Sequence, residues 1–480
     1  MPNPRRNPDM TNQTSSPQTL SGPPISRWWG PFPELRRDTL DFFLRCQAYG
    51  DVVKLPMGLV IELLLRKRDA ATYVLNHPAD IKHVLVTNQD NYQKAMVPPV
   101  ESRIFGGGVL HTEGDKHHRQ RRLFLPFLHG THVTAYADLI TDKAHDMVGH
   151  WQEGTTIDIE REMARLTLAI IWRLLFGQEL GSESDIMREA IAVGQGLIKT
   201  QYDSLFASLT PLWVPTKVHR TFNRGLHAME AMIYGRIEER RTASQQNDDL
   251  LGLLLAAKDT DGSPLTEKEI RDQLATFLLA GHETTANALT WTWFLLSQCR
   301  SVRERLTHEL NEVLTDRLPT AADIPRLRYT KMVWDESLRL YPPAWSLHTR
   351  VGRAEDRLPS GAVLPSGAWV FVSPWSVHRN ARWFPDPNRF DPERFSDEAK
   401  RTHTPYSYIP FGAGGRRCLG ESFAELEGLL ILATIASRFQ LRLVDRQTIL
   451  PNPAMTLRPN GPVRMIVQRI HMSDPHPAVA

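Results

Sequence analysis

One cysteine stands in a setting suited to metal chemistry. The segment Phe411-Gly412-Ala413-Gly414-Gly415-Arg416-Arg417-Cys418-Leu419-Gly420 leads into an apolar stretch that predicts a helix from about Glu421 to Phe439. Its glycines permit positive φ angles and close approach of the backbone to a flat ligand. At a helix entrance, free N–H groups and the helix dipole favour a thiolate over a thiol, and the thiolate is the form that binds metals. A cysteine beside a helix start is more often an inert, buried apolar thiol. The pattern around Cys418 is what argues for chemistry.

A second group lies on a long predicted helix. Thr266 and Glu269 form a capping-box pattern, and no proline interrupts the next thirty or so residues. Midway sit Gly281, Thr284 and Thr285, all weak helix formers. A local rule broken at the centre of a buried helix marks a functional position. Glu283 and Thr284 put a carboxylate beside a hydroxyl, a pair suited to handing on protons. Solvent-facing polar positions are the plainer reading, but the flanking FLLA and ANALTW are apolar on every side.

Two further pairs have helical spacing. His117 and Arg121 are i,i+4 in GDKHHRQRRLFLPF, which is either a ligand-binding face or an ordinary basic one. Glu336 and Arg339 are i,i+3 and share a helix face.

Together these segments resemble the cytochrome P450 superfamily. FxxGxRxCxG, met by Phe411, Gly414, Arg416, Cys418 and Gly420, resembles its haem-binding loop. The resemblance implies Cys418 as the thiolate ligand of haem iron, a bond that favours O–O cleavage. It implies Arg416 paired with a haem propionate, and Phe411 packed near the sulfur. Glu336-Ser337-Leu338-Arg339 matches the family's ExxR motif, with Arg394 of Asp391-Pro392-Glu393-Arg394-Phe395 completing a structural ion network. Ala280-Gly281-His282-Glu283-Thr284-Thr285 resembles the oxygen-activation motif. Gly281 is then expected to open the helix over the haem, Thr284 to hydrogen-bond the oxygen being activated, and Glu283 to relay protons. His117 and Arg121 correspond to propionate partners, with Arg119 and Arg122 toward redox-partner docking. Arg350 resembles a further propionate partner, with His348 as the alternative. The implied pocket comprises the 95 to 105 loop, the helix near 200 to 206, Ala280, and Ala344 to Leu347, with Trp345 narrowing it.

The elements that position these residues read as mainly α with minor β. Strand character appears between 50 and 90, and helical periodicity runs from about 115 to 255, broken at Pro211 and Pro215. Segment 94 to 112 reads as loop, and 378 to 400 is too rich in Pro, Asn and Asp for regular structure. The family's fold is a triangular helical domain with small β-sheets around a buried haem. No linker or repeat divides the 480 residues, so one catalytic domain is expected over 22–480, after a disordered polar tail over 1–21. Gly22 to Pro33, rich in Pro and Trp, is expected to pack against the body rather than rest on a membrane.

Composition removes several function classes. Net charge is +3 with no basic block, which argues against a nucleic-acid partner. Cys46, Cys299 and Cys418 are far apart and form no CxxC, which excludes a disulfide framework and disfavours structural zinc. No apolar run of about 20 residues and no signal-peptide core occur, so a soluble, cytoplasmic, bacterial, monomeric protein without a transmembrane anchor is expected. The resemblance implies a monooxygenase carrying haem b (iron protoporphyrin IX). It inserts one atom of O2 into a lipid, terpenoid, steroid or polyketide by hydroxylation or epoxidation. No flavin domain follows Gly461, so electrons are expected from a ferredoxin with its reductase or a flavodoxin-like donor. The rival readings are a peroxygenase or isomerase, which Glu283-Thr284 argues against, and a non-catalytic haem-binding sensor.

Overall fold

Thr266 starts the element on which the site depends. In the computed structural model its Oγ1 accepts the Glu269 amide at 3.2 Å, and the Glu269 carboxylate accepts the Thr266 amide at 3.1 Å. Two of the orphan donors at a helix start are satisfied this way, which fixes where the helix begins. The structure describes residues 20–66, 68–95, 97–128, 130–181, 184–203, 210, 212–214, 216–242, 249–258 and 262–470. Pro211, Pro215 and most of the expected tail lie outside them.

Helix dominates. The chain enters through α1 (Phe32–Cys46) and the short α2 (Leu59–Leu65). Then come α3 (Pro99–Phe105), α4 (Gly114–Phe124), α5 (Ile159–Phe176), α6 (Ser184–Asp203) and α7 (Lys217–Thr242). The long α8 (Glu267–Gln298) is followed by α9 (Arg328–Leu340) and, after the cysteine loop, α10 (Glu421–Ala436). Helix α3 falls where a loop was expected: Pro99 at its first position supplies a helical φ, and Val100, Ile104 and Phe105 bury one face. Helix α10 stops at Ala436, earlier than expected, because Phe439 opens a strand.

Sheet is minor and scattered. The largest has five strands in the order β1-β2-β8-β5-β3, from Val52–Pro56, Ala71–Leu75, Trp369–Phe371, Arg350–Gly352 and Tyr92–Lys94. Only β2 and β8 pair in parallel. A three-stranded sheet joins β4 (Thr156–Asp158), β12 (Arg464–Arg469) and β9 (Phe439–Leu443). Two-stranded ribbons pair β6 (Asp356–Arg357) with β7 (Val363–Leu364), and β10 (Pro451–Pro453) with β11 (Leu457–Pro459).

Helix α8 runs through the largest apolar cluster and rests on α5. Thr167 on α5 donates to the His282 carbonyl at 3.1 Å, and a Cβ at Gly281 would press on the Ile171 side chain at 2.9 Å. Gly281 therefore sets how closely α5 and α8 pack. The helix runs unbroken through Gly281, which stays partly exposed. On the opposite flank α10 packs by Gly428, whose hydrogen faces the Trp334 ring of α9. Leu20 and Ser21, assigned to the tail, belong to the body: Leu20 packs on the second apolar cluster and Ser21 Oγ donates to the Tyr49 carbonyl at 3.1 Å.

Candidate active site

The cysteine loop is built by its glycines. Gly412 and Gly414 have φ of 70° and 66°, in the left-handed region that L side chains rarely adopt. A side chain at Gly414 would also run into the Leu85 carbonyl, and Gly415 N–H donates to Gln89 Oε1 at 2.8 Å. The Cys418 amide donates to the Phe411 carbonyl at 2.9 Å, closing the loop. Arg121 Nη1 reaches across from α4 to the Arg417 carbonyl at 2.6 Å. The thiol of Cys418 is accessible, although the surrounding protein pushes its pKa up through desolvation.

The scaffold behind the loop is ionic. Glu336 and Arg339, both fully buried, form a bidentate pair at 2.6 and 2.7 Å. Arg339 also donates to the carbonyls of His378, Pro387 and Arg389. Glu336 accepts the Asp391 amide at 2.9 Å, and Arg394 Nε stands 3.5 Å from the same carboxylate. A buried pair tolerates desolvation only when its remaining donors and acceptors are satisfied, as they largely are here.

On the other side of the loop the charge is unbalanced. In the β3–β5 register Lys94 stands directly opposite Arg350. Like charges facing each other across strands are destabilising. Arg416 and His117 converge on the same place. Lys94 is pushed down to about 7 by burial and then by Arg416 and Arg350. Arg350 is pushed down to about 10 by burial and then by Arg416, and His117 to about 3 by burial, Arg416, Lys94 and Arg121. His117 is therefore neutral at pH 7. Glu113, 2.8 Å from Arg416, is the carboxylate set against these cations. Lys94 escaped the sequence reading because its role comes from strand register, which nothing in the local sequence signals.

Helix α8 presents the third group. Ala280 and Thr284 keep accessible surface midway along a helix whose other faces are buried. Thr284 Oγ1 donates to the Ala280 carbonyl at 2.6 Å. Glu283 points elsewhere: its buried Oε1 accepts from Thr456 Oγ1 at 2.5 Å, and Asn287 Nδ2 donates to the same hydroxyl at 2.9 Å. No hydrogen bond joins Glu283 to Thr284 side chain to side chain. Burial pushes Glu283 up to about 6, opposed by Thr456 and Arg458. Thr456 lies between β10 and β11, far along the chain, and the sequence carried no signal for it.

Next to Leu279 lies a small apolar gap of about 20 Å³, lined by Ile104, Phe105, Ile198, Phe222, Leu279 and Met455, among others. The expected 95 to 105 segment contributes to it. From α6 the contribution comes from residues around Ile191 to Ile198, while the side chains of 201–206, expected here, lie outside the described residues. Trp345 does not line it: its indole N–H donates to the Ala454 carbonyl at 2.9 Å, and its ring packs toward Phe43 and Phe371.

The family profile described as Cytochrome P450 matches residues 58–467. The chain belongs to the cytochrome P450 family. Among its relatives, Cyclooctatin synthase of Streptomyces melanosporofaciens is 35% identical, over 90% of this chain and 92% of that protein. Cyclooctat-9-en-7-ol 5-monooxygenase of the same organism is 33% identical, over 90% and 94%. Pentalenene oxygenase of Streptomyces avermitilis is 30% identical, over 87% and 90%. A solved structure, the cytochrome P450DA heme domain, superposes with a TM-score of 0.81 at 24% identity, covering 94% of this chain and 98% of that one.

This P450 is a haem-dependent monooxygenase, and its residues fit iron protoporphyrin IX on their own evidence. The mutually repelling cations Lys94, Arg350 and Arg416 call for anions, which two propionates supply. Neutral His117 remains available as a hydrogen-bonding partner beside them. Desolvation favours the protonated Cys418 thiol, a cost that bonding to iron reverses by removing the proton outright. Among the described residues no helix is long and apolar enough to cross a membrane.

Proposed function

We propose that this P450 oxygenates a terpenoid hydrocarbon skeleton, by hydroxylation or epoxidation, with electrons delivered by a separate ferredoxin or flavodoxin-like protein. The observation that carries the substrate class is kinship over nearly the whole chain with enzymes named for acting on cyclic terpenoid skeletons, and the apolar side chains Ile104, Phe105 and Leu279 beside the exposed face of α8 agree with it. These relatives are a cyclooctat-9-en-7-ol monooxygenase and a pentalenene oxygenase.

The Cys418 thiolate would hold the iron of a bound haem, which would supply oxygen activation. The remaining work belongs to the chain. Lys94, Arg350, Arg416, His117 and Arg121 anchor the cofactor's carboxylates. Apolar side chains of α3 and α8, among them Ile104, Phe105 and Leu279, would position the substrate and exclude water. Thr284 Oγ1, now donating to the Ala280 carbonyl, is free to turn its hydroxyl toward the reacting oxygen. Glu283, with a pKa near neutrality, takes up and releases a proton at Oε1 and Oε2 through Thr456. We further infer a single catalytic domain, whose start the Leu20 and Ser21 contacts move from 22 to 20, and a reducing, cytoplasmic setting, supported by three free cysteines.

The test is a ligand screen that follows the iron spin-state shift, run with cyclic sesquiterpenes and diterpenes beside fatty acids, steroids and macrolactones. Terpenoids are expected to give the shift at the lowest concentration and to yield oxygenated products with a ferredoxin system. A preference for fatty acids or steroids overturns the substrate class.

A further inference from the structure

Trp28 and Trp29 do not pack against the body as the sequence suggested. They are 62% and 43% exposed, while Gly30 and Pro31 beside them are buried. The segment is pinned in this position. The Leu59 amide donates to the Arg27 carbonyl and the Val60 amide to the Trp28 carbonyl, both at 3.1 Å. Gly30 and Gly58 meet backbone to backbone, so that a side chain at Gly58 would run into the Gly30 amide. These bonds bring the tryptophans beside α2, which exposes Leu59, Leu63 and Leu64 at 39%, 79% and 50%. Five large apolar side chains thus share one tethered surface. Single exposed apolar residues are ordinary, whereas a cluster of them marks an interaction surface.

The rim of this patch is cationic. Arg27 precedes the tryptophans, and Arg66 and Arg68 follow α2; all three are exposed. Arg36 and Arg37 stand exposed on the neighbouring α1. The carboxylates on these segments are Glu62, Asp69 and Asp38, with Glu34 and Asp41, both engaged by Arg45 at 2.8 Å. Another exposed tryptophan, Trp213, stands on the segment between α6 and α7, and α6 packs against α1.

We propose that this patch seats the enzyme on an anionic lipid surface. Tryptophan is the side chain most at home at the bilayer interface, where its apolar ring and polar N–H are both satisfied. Leu59, Leu63 and Leu64 enter the boundary between headgroups and acyl chains, and Arg27, Arg66 and Arg68 lie against lipid phosphates. With no spanning helix among the described residues, the attachment is reversible. This surface is separate from the cysteine loop and stands whatever the substrate proves to be.

The experiment is co-sedimentation of haem-loaded enzyme with phosphatidylcholine vesicles, with and without phosphatidylglycerol. The enzyme is expected to sediment with the anionic vesicles and to stay largely in solution with the neutral ones. Trp28→Ser combined with Leu63→Ser is expected to lower the partition coefficient about tenfold, the effect of withdrawing two apolar side chains from lipid. Arg66→Glu combined with Arg68→Glu is expected to abolish the preference for anionic vesicles. The reduced, carbon-monoxide-bound spectrum of each variant reports that the haem pocket is intact. Absence of sedimentation, or equal sedimentation of enzyme and both variants, overturns the proposal. So does self-association of the unmodified enzyme in solution that Trp28→Ser with Leu63→Ser abolishes, because the patch is then an interface between copies.

Discussion

His378 joins the buried Arg339 to the cysteine loop. Its Nδ1 donates to the Arg339 carbonyl at 3.2 Å, and its Nε2 accepts the Ile409 amide at 2.9 Å, two residues before Phe411. Both partners are backbone groups of fixed polarity, so only the neutral Nδ1–H tautomer serves them. Burial, then Arg339, pushes its pKa down to about 3.

Replacing His378 by alanine leaves a buried amide and carbonyl unpaired and opens a cavity. A loss of about 2–4 kcal/mol is expected in denaturant unfolding of the haem-loaded enzyme. The pH dependence has a fixed sign. The unfolded chain takes up a proton at this residue as pH falls through its ordinary value of 6.5, while the folded chain resists until about 3. Stability contributed here is therefore full above pH 6.5 and is lost progressively toward pH 3. In His378→Gln this part of the acid sensitivity is expected to vanish; an unchanged acid profile refutes the assignment.

Glu427 on α10 gives the opposite slope. Its carboxyl is buried, bonded to Thr285, with Oε1 unpartnered, and burial pushes it up to about 8. The folded state holds this proton between about pH 4.5 and 8, where the unfolded state has released it. Stability from this group is present below pH 4.5 and falls as pH rises to 8. Melting temperatures of Glu427→Gln across that window should decline less than those of the unmodified enzyme.

Lys94→Met removes one of two cations that face each other across β3 and β5. Two measurements should move in opposite directions. The haem-free protein should unfold at a higher denaturant concentration, since repulsion is relieved. The haem-loaded enzyme should surrender its haem faster to a scavenging apoprotein, since a propionate loses a partner. Parallel changes in both would mean that Lys94 acts only in packing.

The proton path is read from coupling and pH. Thr284→Ala should consume NAD(P)H and O2 with product yield reduced about a hundredfold, the low end of what a positioned proton donor contributes. The unmodified enzyme should show an inflection near pH 6 in product formation under single-turnover conditions, from Glu283. Glu283→Gln should remove it. Thr456→Val should raise it, because the Thr456 hydroxyl is the bond that holds this acid down. An inflection that survives Glu283→Gln belongs to another group.

What the sequence disclosed, and what it hid, follows from the range of each interaction. The start of α8 was legible because the capping box spans three residues. The Glu336–Arg339 pair was legible because both partners share one helix turn. Helix α3 was hidden in a Gly- and Pro-bearing segment because seven residues give too short a pattern to show periodicity. Glu283 was found as an acid, but its partner Thr456 lies 173 residues away and follows only from the fold. Gly281 also sets the approach of α5 through Ile171, a contact that only the fold reveals. Lys94 and His378 draw their meaning wholly from register and tertiary approach.

The Lys94–Arg350 pairing also bears on the life of the polypeptide in the cell. Strand β3 is the edge of its sheet, held on one side only by β5. In a newly made chain that has not acquired its porphyrin, electrostatic repulsion works to peel this strand away. A loosened edge is the kind of segment that proteases grip first. Limited proteolysis is therefore expected to cut the haem-free chain at this strand sooner than the haem-loaded one.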